Sequence, residues 1–552
     1  MSGNGKKRDS FILQAGILAA AGFISRIIGL LYISPVTRII GPVGLGYYQT
    51  AYNYYAIVLM ISSYSIPSAI SKVIAQKLSL REYRNAHRVF ICAMYYVLGV
   101  GLVASLLLFF GAGYLATESA VPVLRVLAPT IFIYGILGVL RGYFQAHKSM
   151  VQTSFSQILE QIVNAAVSIG AAYGFIVWFT GSYEESRTAA DQTGRAVYGA
   201  MGSALGTGAG VLAALLFMGG IYALNRPMIQ RRIQRDRTRQ VDSYREISVM
   251  ILQVVLPFIM STAIYNLSSS LNNKLYSDIM IKFRHVAEDL AMGDYGVFNG
   301  EAMKISNIPI AFSSAMAAAI IPTVSQLVAR RQLADARDKM SQAVKTIMLI
   351  SIPSAVGLFA LAKPVTWLLF PDENTIELAS RILMALAVSV IFYALSTLSN
   401  SILQGIGRVN TPIVNAAIAL LIQTAVLVPL LLFTDLGIYA VVIATILYSG
   451  LMCVLNQMSL HKALGYRQEA MNTFIVPFIA SGFMGAIAWV LYETLLMLTG
   501  SIVISAVPAI LAAVVVYFAL VILFRAVTEE ELRAMPKGHL LVKVAKKCRL
   551  LR

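Results

Sequence analysis

About fourteen long apolar segments follow one another along this chain, each near the roughly 20 residues that a helix needs to cross a bilayer. They fall at 11–33, 45–70, 89–115, 123–145, 155–180, 197–224, 247–275, 295–325, 342–369, 378–403, 410–433, 436–459, 473–497 and 501–524. Spread over 552 residues, this leaves about 40 residues per segment with its connection, too few for a sizeable soluble domain. Lipid offers no partner to a free N–H or C=O, so only helices or a closed barrel can span it. Barrel strands would alternate in polarity over about ten residues, whereas these runs are continuous and longer. The expectation is an all-α polytopic membrane protein with about 14 transmembrane helices. Composition agrees: 58% of residues are hydrophobic and only 13% charged, about half the charged share of a soluble domain.

Lysine and arginine crowd into alternate gaps between the spans. One set of gaps holds Lys6, Lys7 and Arg8; Lys72, Lys77, Arg81, Arg84 and Arg88; Arg141 and Lys148; and seven arginines from Arg226 to Arg245. It continues with Arg330, Arg331, Arg337, Lys339 and Lys345, then Arg408, Lys462 and Arg467, and a basic tail. The intervening gaps are acidic or mixed. Positive charge resists translocation, so the alternation places both termini and the 226–246 loop on the cytoplasmic side of the cell membrane. A net charge of +18 raises the question of nucleic acid, but it is dispersed over loops and has no soluble module to present it; topology and anionic membrane lipids account for it. Cys92, Cys453 and Cys548 imply no disulfide framework. No Cys/His metal spacing and no GxxxxGK[ST] loop occur, so no cofactor and no ATP-driven step are expected. The basic N-terminus followed by a long apolar run reads as a retained first span rather than a cleaved signal.

An internal repeat organises the chain. RGYFQAHKSMVQTS (141–154) closes span four and opens span five, and NSILQGIGRVNTPI (400–413) does the same six spans later. IPSAIS (66–71) after span two echoes IPTVSQ (321–326) after span eight. An even offset preserves orientation, the pattern of parallel repeats with a substrate site between lobes. The resulting division is an N-lobe at 1–225 (spans one to six), a basic cytoplasmic loop at 226–246, and a C-lobe at 247–465 (spans seven to twelve). Spans thirteen and fourteen follow at 466–525, then a basic amphipathic tail at 526–552, expected to lie along the cytoplasmic leaflet.

Several polar residues sit where lipid would penalise them. Arg26, beside Ser25, lies deep in span one, where a charge needs a wet cavity or a partner. A guanidinium matches phosphate oxygens bidentately and keeps its charge, which suits a lipid diphosphate; snorkelling or pairing with a buried carboxylate is the structural alternative. In span five Gln157, Glu160, Gln161 and Asn164 share one helix face. They read as a cavity wall, as a coupling-cation site, or as a hydrogen-bonded seam, with Glu160 in reach of Arg141 or Arg26. Span eight carries Glu301, Lys304 and Asn307; an ion pair between the first two is either structural or a switch that a diphosphate opens. Asn273, with Asn266, Asn272 and Lys274, joins the same cavity, Lys274 close enough to the outer surface to snorkel. The cluster Tyr47, Tyr48, Tyr52, Tyr54 and Tyr55 reads as an interfacial belt, with sugar stacking as the alternative.

ISRIIGLLY (24–32), RGYFQ (141–145), SQILEQIV (156–163), YGVFNGEAMKISNIP (295–309), IIPTVSQL (320–327) and PKGHLLVKV (536–544) together resemble the MurJ/SpoVB-type polysaccharide biosynthesis proteins. These belong to the multidrug/oligosaccharidyl-lipid/polysaccharide flippase superfamily. The resemblance covers nearly the whole chain, and Arg26 matches the arginine of the family's SRI motif. This chain departs at Tyr32, where many members similar to the Gram-negative form carry a basic residue, and at Asn164, where the related pattern often looks basic. The resemblance implies export of lipid-linked precursors, chiefly undecaprenyl-diphosphate-linked lipid II. The resulting expectation is a monomeric flippase, not an enzyme, working by alternating access. A cavity lined mainly by spans one, two, seven and eight would take the lipid-linked diphosphate-sugar head group while the polyprenyl tail stays in lipid. Arg26 would hold the diphosphate, assisted by Lys304, and Ser25, Arg141, Glu160, Asn164, Asn273, Glu301 and Asn307 would complete the site. A coupling ion (Na+ or H+) or the membrane potential supplies the energy. The rival readings are a cation-coupled multidrug exporter of the same superfamily, an exporter of another lipid-linked polysaccharide unit, and a scaffold for wall-synthesis enzymes.

Overall fold

The computed structural model describes residues 3–64, 66–147, 149–181, 189–236, 241–408, 410–524 and 527, with backbone alone in stretches that include 3–20, 254–266 and 317–323. The expected tail at 528–552, part of the 226–246 loop, and the side chains of Asn266 and Pro322 lie outside the described residues. The described residues fold into helices, with no strand among them.

The first helix, α1 (Gly3–Leu59), is 57 residues long. Unbroken it would measure about 86 Å, nearly three times the hydrocarbon thickness. It breaks at Gly41 (φ 69°, ψ 174°), immediately before Pro42. Glycine tolerates the positive φ and proline has no N–H to give the preceding turn. The break falls between the first two expected spans. After a π-helical turn at Met60–Tyr64 the chain continues as α2 (Ile66–Ser79), then α3 (Tyr83–Leu115), α4 (Val121–Ala146), α5 (Met150–Thr180), α6 (Ala189–Gln234), α7 (Tyr244–Asp278) and α8 (Glu288–Gly296). Two more π-helical stretches follow α7 and α8, at Ile279–Phe283 and Val297–Ala302, and the second leads into α9 (Met303–Ala329), α10 (Leu333–Ala360), α11 (Ala362–Leu369), α12 (Ile376–Gly405), α13 (Asn410–Phe433), α14 (Ile438–Leu464), α15 (Val476–Thr499) and α16 (Ile502–Leu523). Among the described residues eleven segments are long and apolar enough to cross a membrane. The expected seventh and eighth spans are not among these eleven, and both contain side chains outside the described residues.

The chain divides into two compact units, residues 1–296 and 297–552. The division lies beyond the basic 226–246 segment and groups α7 and α8 with α1–α6. Hydrogen bonds explain this grouping: Asn273 of α7 donates to Thr50 at 2.9 Å, and Asn53 donates to the Tyr295 hydroxyl of α8 at 3.0 Å.

In the first unit α5 and α6 pack through a row of small residues. A Cβ added to Gly202, Gly206 or Gly210 would strike α5 at Ala171, Ser168 or the Glu160 carbonyl. Such GxxxGxxxG spacing lets backbones approach closely enough for dispersion and interhelical polar contacts to hold helices together in lipid. The turn between α2 and α3 is strapped to the segment before α7. Lys77 pairs with Glu82 at 3.1 Å and with Asp242. The Arg84 amide donates to Asp236 at 2.6 Å, the Asp242 amide to Asn85 at 3.1 Å, and Arg88 to the Asp242 carbonyl at 2.7 Å. Partial burial opposes the charge on Lys77, but its bonds to Asp242 and Glu82 prevail and raise its pKa. The Asn85 amide, then Lys77, hold the Glu82 carboxyl below its ordinary value.

In the second unit α12 packs against α9, α10 and α14, with Val324, Ile347, Leu398 and Leu460 in the shared core. α15 and α16 form a pair docked on α10, where the Tyr517 hydroxyl donates to the Leu349 carbonyl at 2.8 Å. The two units repeat a local motif. Helix α2 ends with Glu82 N–H bonding Lys77 C=O and Arg81 N–H bonding Leu78 C=O; α9 ends with Gln332 bonding Leu327 and Arg331 bonding Val328. Both are Schellman caps, and both place an arginine, at φ 62° and 59°, where glycine is usual.

Candidate functional site

The α5 stripe foreseen in the sequence faces α1 and α4. Arg141, at the end of α4 and 5% exposed, donates through Nη2 to Glu160 Oε2 at 2.8 Å and through Nε to Ser156 Oγ at 2.9 Å. Glu160 therefore answers Arg141, and the guanidinium is engaged by this chain's own groups. One turn further along α5, the Asn164 amide donates to the Tyr32 hydroxyl at 3.4 Å, while Ser168 donates to Asn164 Oδ1 and to the Ser203 carbonyl, each at 3.0 Å. Gly29 lies against Gln161, its missing Cβ 3.7 Å from Oε1. Helices α1 and α5 thus meet in register, 29 with 161 and 32 with 164. Ser25 shares the Gly29–Tyr32 face. Ser25 Oγ and Gln157 Oε1 are buried without a hydrogen-bond partner among the described residues. Arg26 is the next position in α1; its side chain lies outside the described residues.

Asn273 is fully buried in the seam between α7 and α1. Lys274 pairs with Asp278 at 3.2 Å, one turn along the same helix. The tyrosine cluster does not form an exposed belt. Tyr47, Tyr48, Tyr54 and Tyr55 are buried, and Tyr48 approaches Thr207 of α6 at 3.4 Å. Their spacing brings them into contact with other helices, which the sequence of α1 alone does not reveal.

In the second unit Glu301 is 0% exposed and accepts a long 3.5 Å bond from Thr375, while its Oε1 has no hydrogen-bond partner among the described residues. The expected ion pair with Lys304 does not form. Glu301 lies in the π-helical stretch Val297–Ala302, whose wider turn closes i→i+5 bonds and carries i+3 away from i. Lys304 is half-buried and Asn307 exposed, so the three side chains spread around the helix rather than forming one stripe. Among the described residues no group of His, Cys, Asp and Glu could hold a metal ion.

The model of the family described as lipid II flippase MurJ matches residues 86–508. The chain belongs to the MurJ family. It is 24% identical over 507 residues to lipid II flippase MurJ of Bacillus subtilis (strain 168), covering 88% of each chain. Stage V sporulation protein B of the same organism is 22% identical over 546 residues, 97% of this chain and all of that one. Among solved structures, lipid II flippase MurJ in an inward closed conformation superposes with a TM-score of 0.65 at 15% identity, over 92% of this chain and 98% of that one. An inward-facing MATE-family multidrug resistance transporter of the MOP superfamily gives 0.63 at 18%, over 80% and 98%. These structures share the fold. The resemblance leads one to expect positive charge at positions 32 and 164. Tyr32 and Asn164 are both neutral, and they bond to each other. Thr375 and the Gly202/Gly206/Gly210 row escaped the sequence reading. The glycine row was visible as a GxxxGxxxG spacing, whereas nothing near Glu301 in sequence points to Thr375.

Proposed function

We propose that this MurJ-family protein flips a polyprenyl-diphosphate-linked cell-wall precursor, lipid II before other glycans, from the cytoplasmic to the outer leaflet by alternating access. The observation that carries this reading is the polar α1–α5 seam of the first unit. Arg26 follows Ser25, whose hydroxyl is buried without a hydrogen-bond partner among the described residues, on the helix that meets α5 near the Arg141–Glu160 pair. Arg141 is neutralised internally, which leaves Arg26 as the cation for the diphosphate. The neutral Tyr32–Asn164 contact above it offers hydrogen bonds to sugar or peptide rather than charge. In the second unit Lys304 has no ion-pair partner among the described residues and serves as the second cation, while Glu301 is the carboxyl available to a coupling H+ or Na+. The charge alternation places both termini in the cytoplasm.

Complementation of a bacterium depleted of its own lipid II flippase tests this directly. Wild type is expected to rescue growth and Arg26→Ala to fail at equal membrane abundance. Rescue by both would remove Arg26 from the mechanism. Failure by a well-inserted wild type would exclude lipid II. The drug-exporter reading draws on the Glu301 carboxyl, which has no ion-pair partner among the described residues, and on the fold shared with the MATE transporter. It predicts binding of hydrophobic cations that Glu301→Gln abolishes.

A further inference from the structure

The first unit holds a second polar concavity, distinct from the α1–α5 seam. It has a volume of about 230 Å³ and is walled by the adjoining ends of α2–α6, with Tyr83, His87, Tyr143, His147, Asn225 and Arg232 among its lining residues. Among the described residues no carboxylate lines it. Arg232 lies at an exposed position on α6 and has no ion-pair partner among the described residues. His87 Nδ1 is buried with no hydrogen-bond partner among the described residues, and buried polar atoms are normally paired. His147 Nδ1 donates to the Tyr143 carbonyl at 2.9 Å, so in the neutral ring Nε2 is an acceptor, open to a P–OH donor. Aromatic packing fixes both imidazoles: His87 stacks on Phe90, His147 lies 4.4 Å from the Tyr143 ring, and Phe90 meets Tyr143 edge-on at 4.9 Å.

A guanidinium, an amide and the unpartnered His87 imidazole, with no acid among the described lining residues, select an anion; a planar guanidinium suits tetrahedral oxygens, and His147 Nε2 can accept from a protonated phosphate oxygen. The volume falls below the range of about 300–1,000 Å³ that holds drug-sized ligands, so a nucleotide or a disaccharide-peptide head group is too large. We infer that this concavity binds a small phosphate ester, held by Arg232, His87 and His147. Its lining residues Leu78 and Tyr83 directly follow Lys77 and Glu82 of the strap in sequence. The ester comes either from a phospholipid head group or from a soluble sugar or glycerol phosphate of the same compartment.

Calorimetric titration of the purified full-length protein in detergent distinguishes these sources. The probes are glycerol 3-phosphate and dihexanoyl phosphatidic acid. Saturable binding of both supports the site with the phosphate group sufficient; binding of the lipid alone supports it and assigns the membrane as source. Arg232→Ala and His87→Asn should each weaken binding by about tenfold or more, the loss of one charge-assisted or donor contact. Arg330→Ala, which removes a surface charge from the other unit, should leave it unchanged. Absence of binding by both probes, or equal weakening by Arg330→Ala, would overturn the assignment.

Discussion

Arg141 and Glu160 show how one buried pair constrains a membrane helix bundle. Their side chains are 6% and 15% exposed, so neither charge has much water to fall back on. Arg141→Ala strands the carboxylate and should cost about 3–5 kcal/mol, whereas replacing both residues by apolar ones of similar volume should cost far less. Thermal unfolding of the single and double variants in one detergent checks this; equal losses would mean that the pair adds nothing to the seam. The sequence made the two residues candidates for one another, because the end of α4 and the start of α5 are joined by a short turn. It gave no sign that Glu301 and Lys304 would part, since an α-helical periodicity was assumed where a π-helical turn exists.

At the scale of the element, the α5–α6 seam depends on three glycines. A side chain at Gly206 would enter space held by Ser168 and the Asn164 carbonyl, whereas Gly220 on the same helix has nothing within 4 Å. Gly206→Leu is expected to separate the helices and lose several kcal/mol, as overpacking does at its worst, and Gly220→Leu to stay within about 0.5 kcal/mol of wild type. The fraction of monodisperse protein after heating reports the difference. α7 begins with a capping box, Ser243 accepting from the Glu246 amide at 3.2 Å and Glu246 from the Ser243 amide at 2.8 Å. That signal is local and legible as S-x-x-E. The partner of a helix face is not, because lipid-facing and helix-facing stretches are equally apolar: the tyrosines of α1 could have met either.

At the scale of the molecule, the strap between the α2–α3 turn and the segment before α7 ties distant parts of the first unit together through charge. Glu82 has a depressed pKa in the fold, so its contribution is present above the unfolded carboxylate value and lost as pH falls through the folded one. The thermal midpoint of wild type should exceed that of Glu82→Gln near pH 7, by an amount matching at most about 1 kcal/mol. The two should converge below about pH 4. A difference that persists in acid would show that Glu82 acts by shape and not by charge. Hydropathy and the spacing of polar residues were enough to determine a helical membrane protein and the polar stripe on α5. They suffice because a bilayer penalises every unpaired backbone group and every unpaired charge, residue by residue. Only the tertiary structure decided that Arg141 takes Glu160, that Tyr32 meets Asn164, that α7 and α8 belong to the first unit, and that Glu301 stands without Lys304. Those outcomes turn on helix rotation and register, which are set by contacts between residues far apart in the chain.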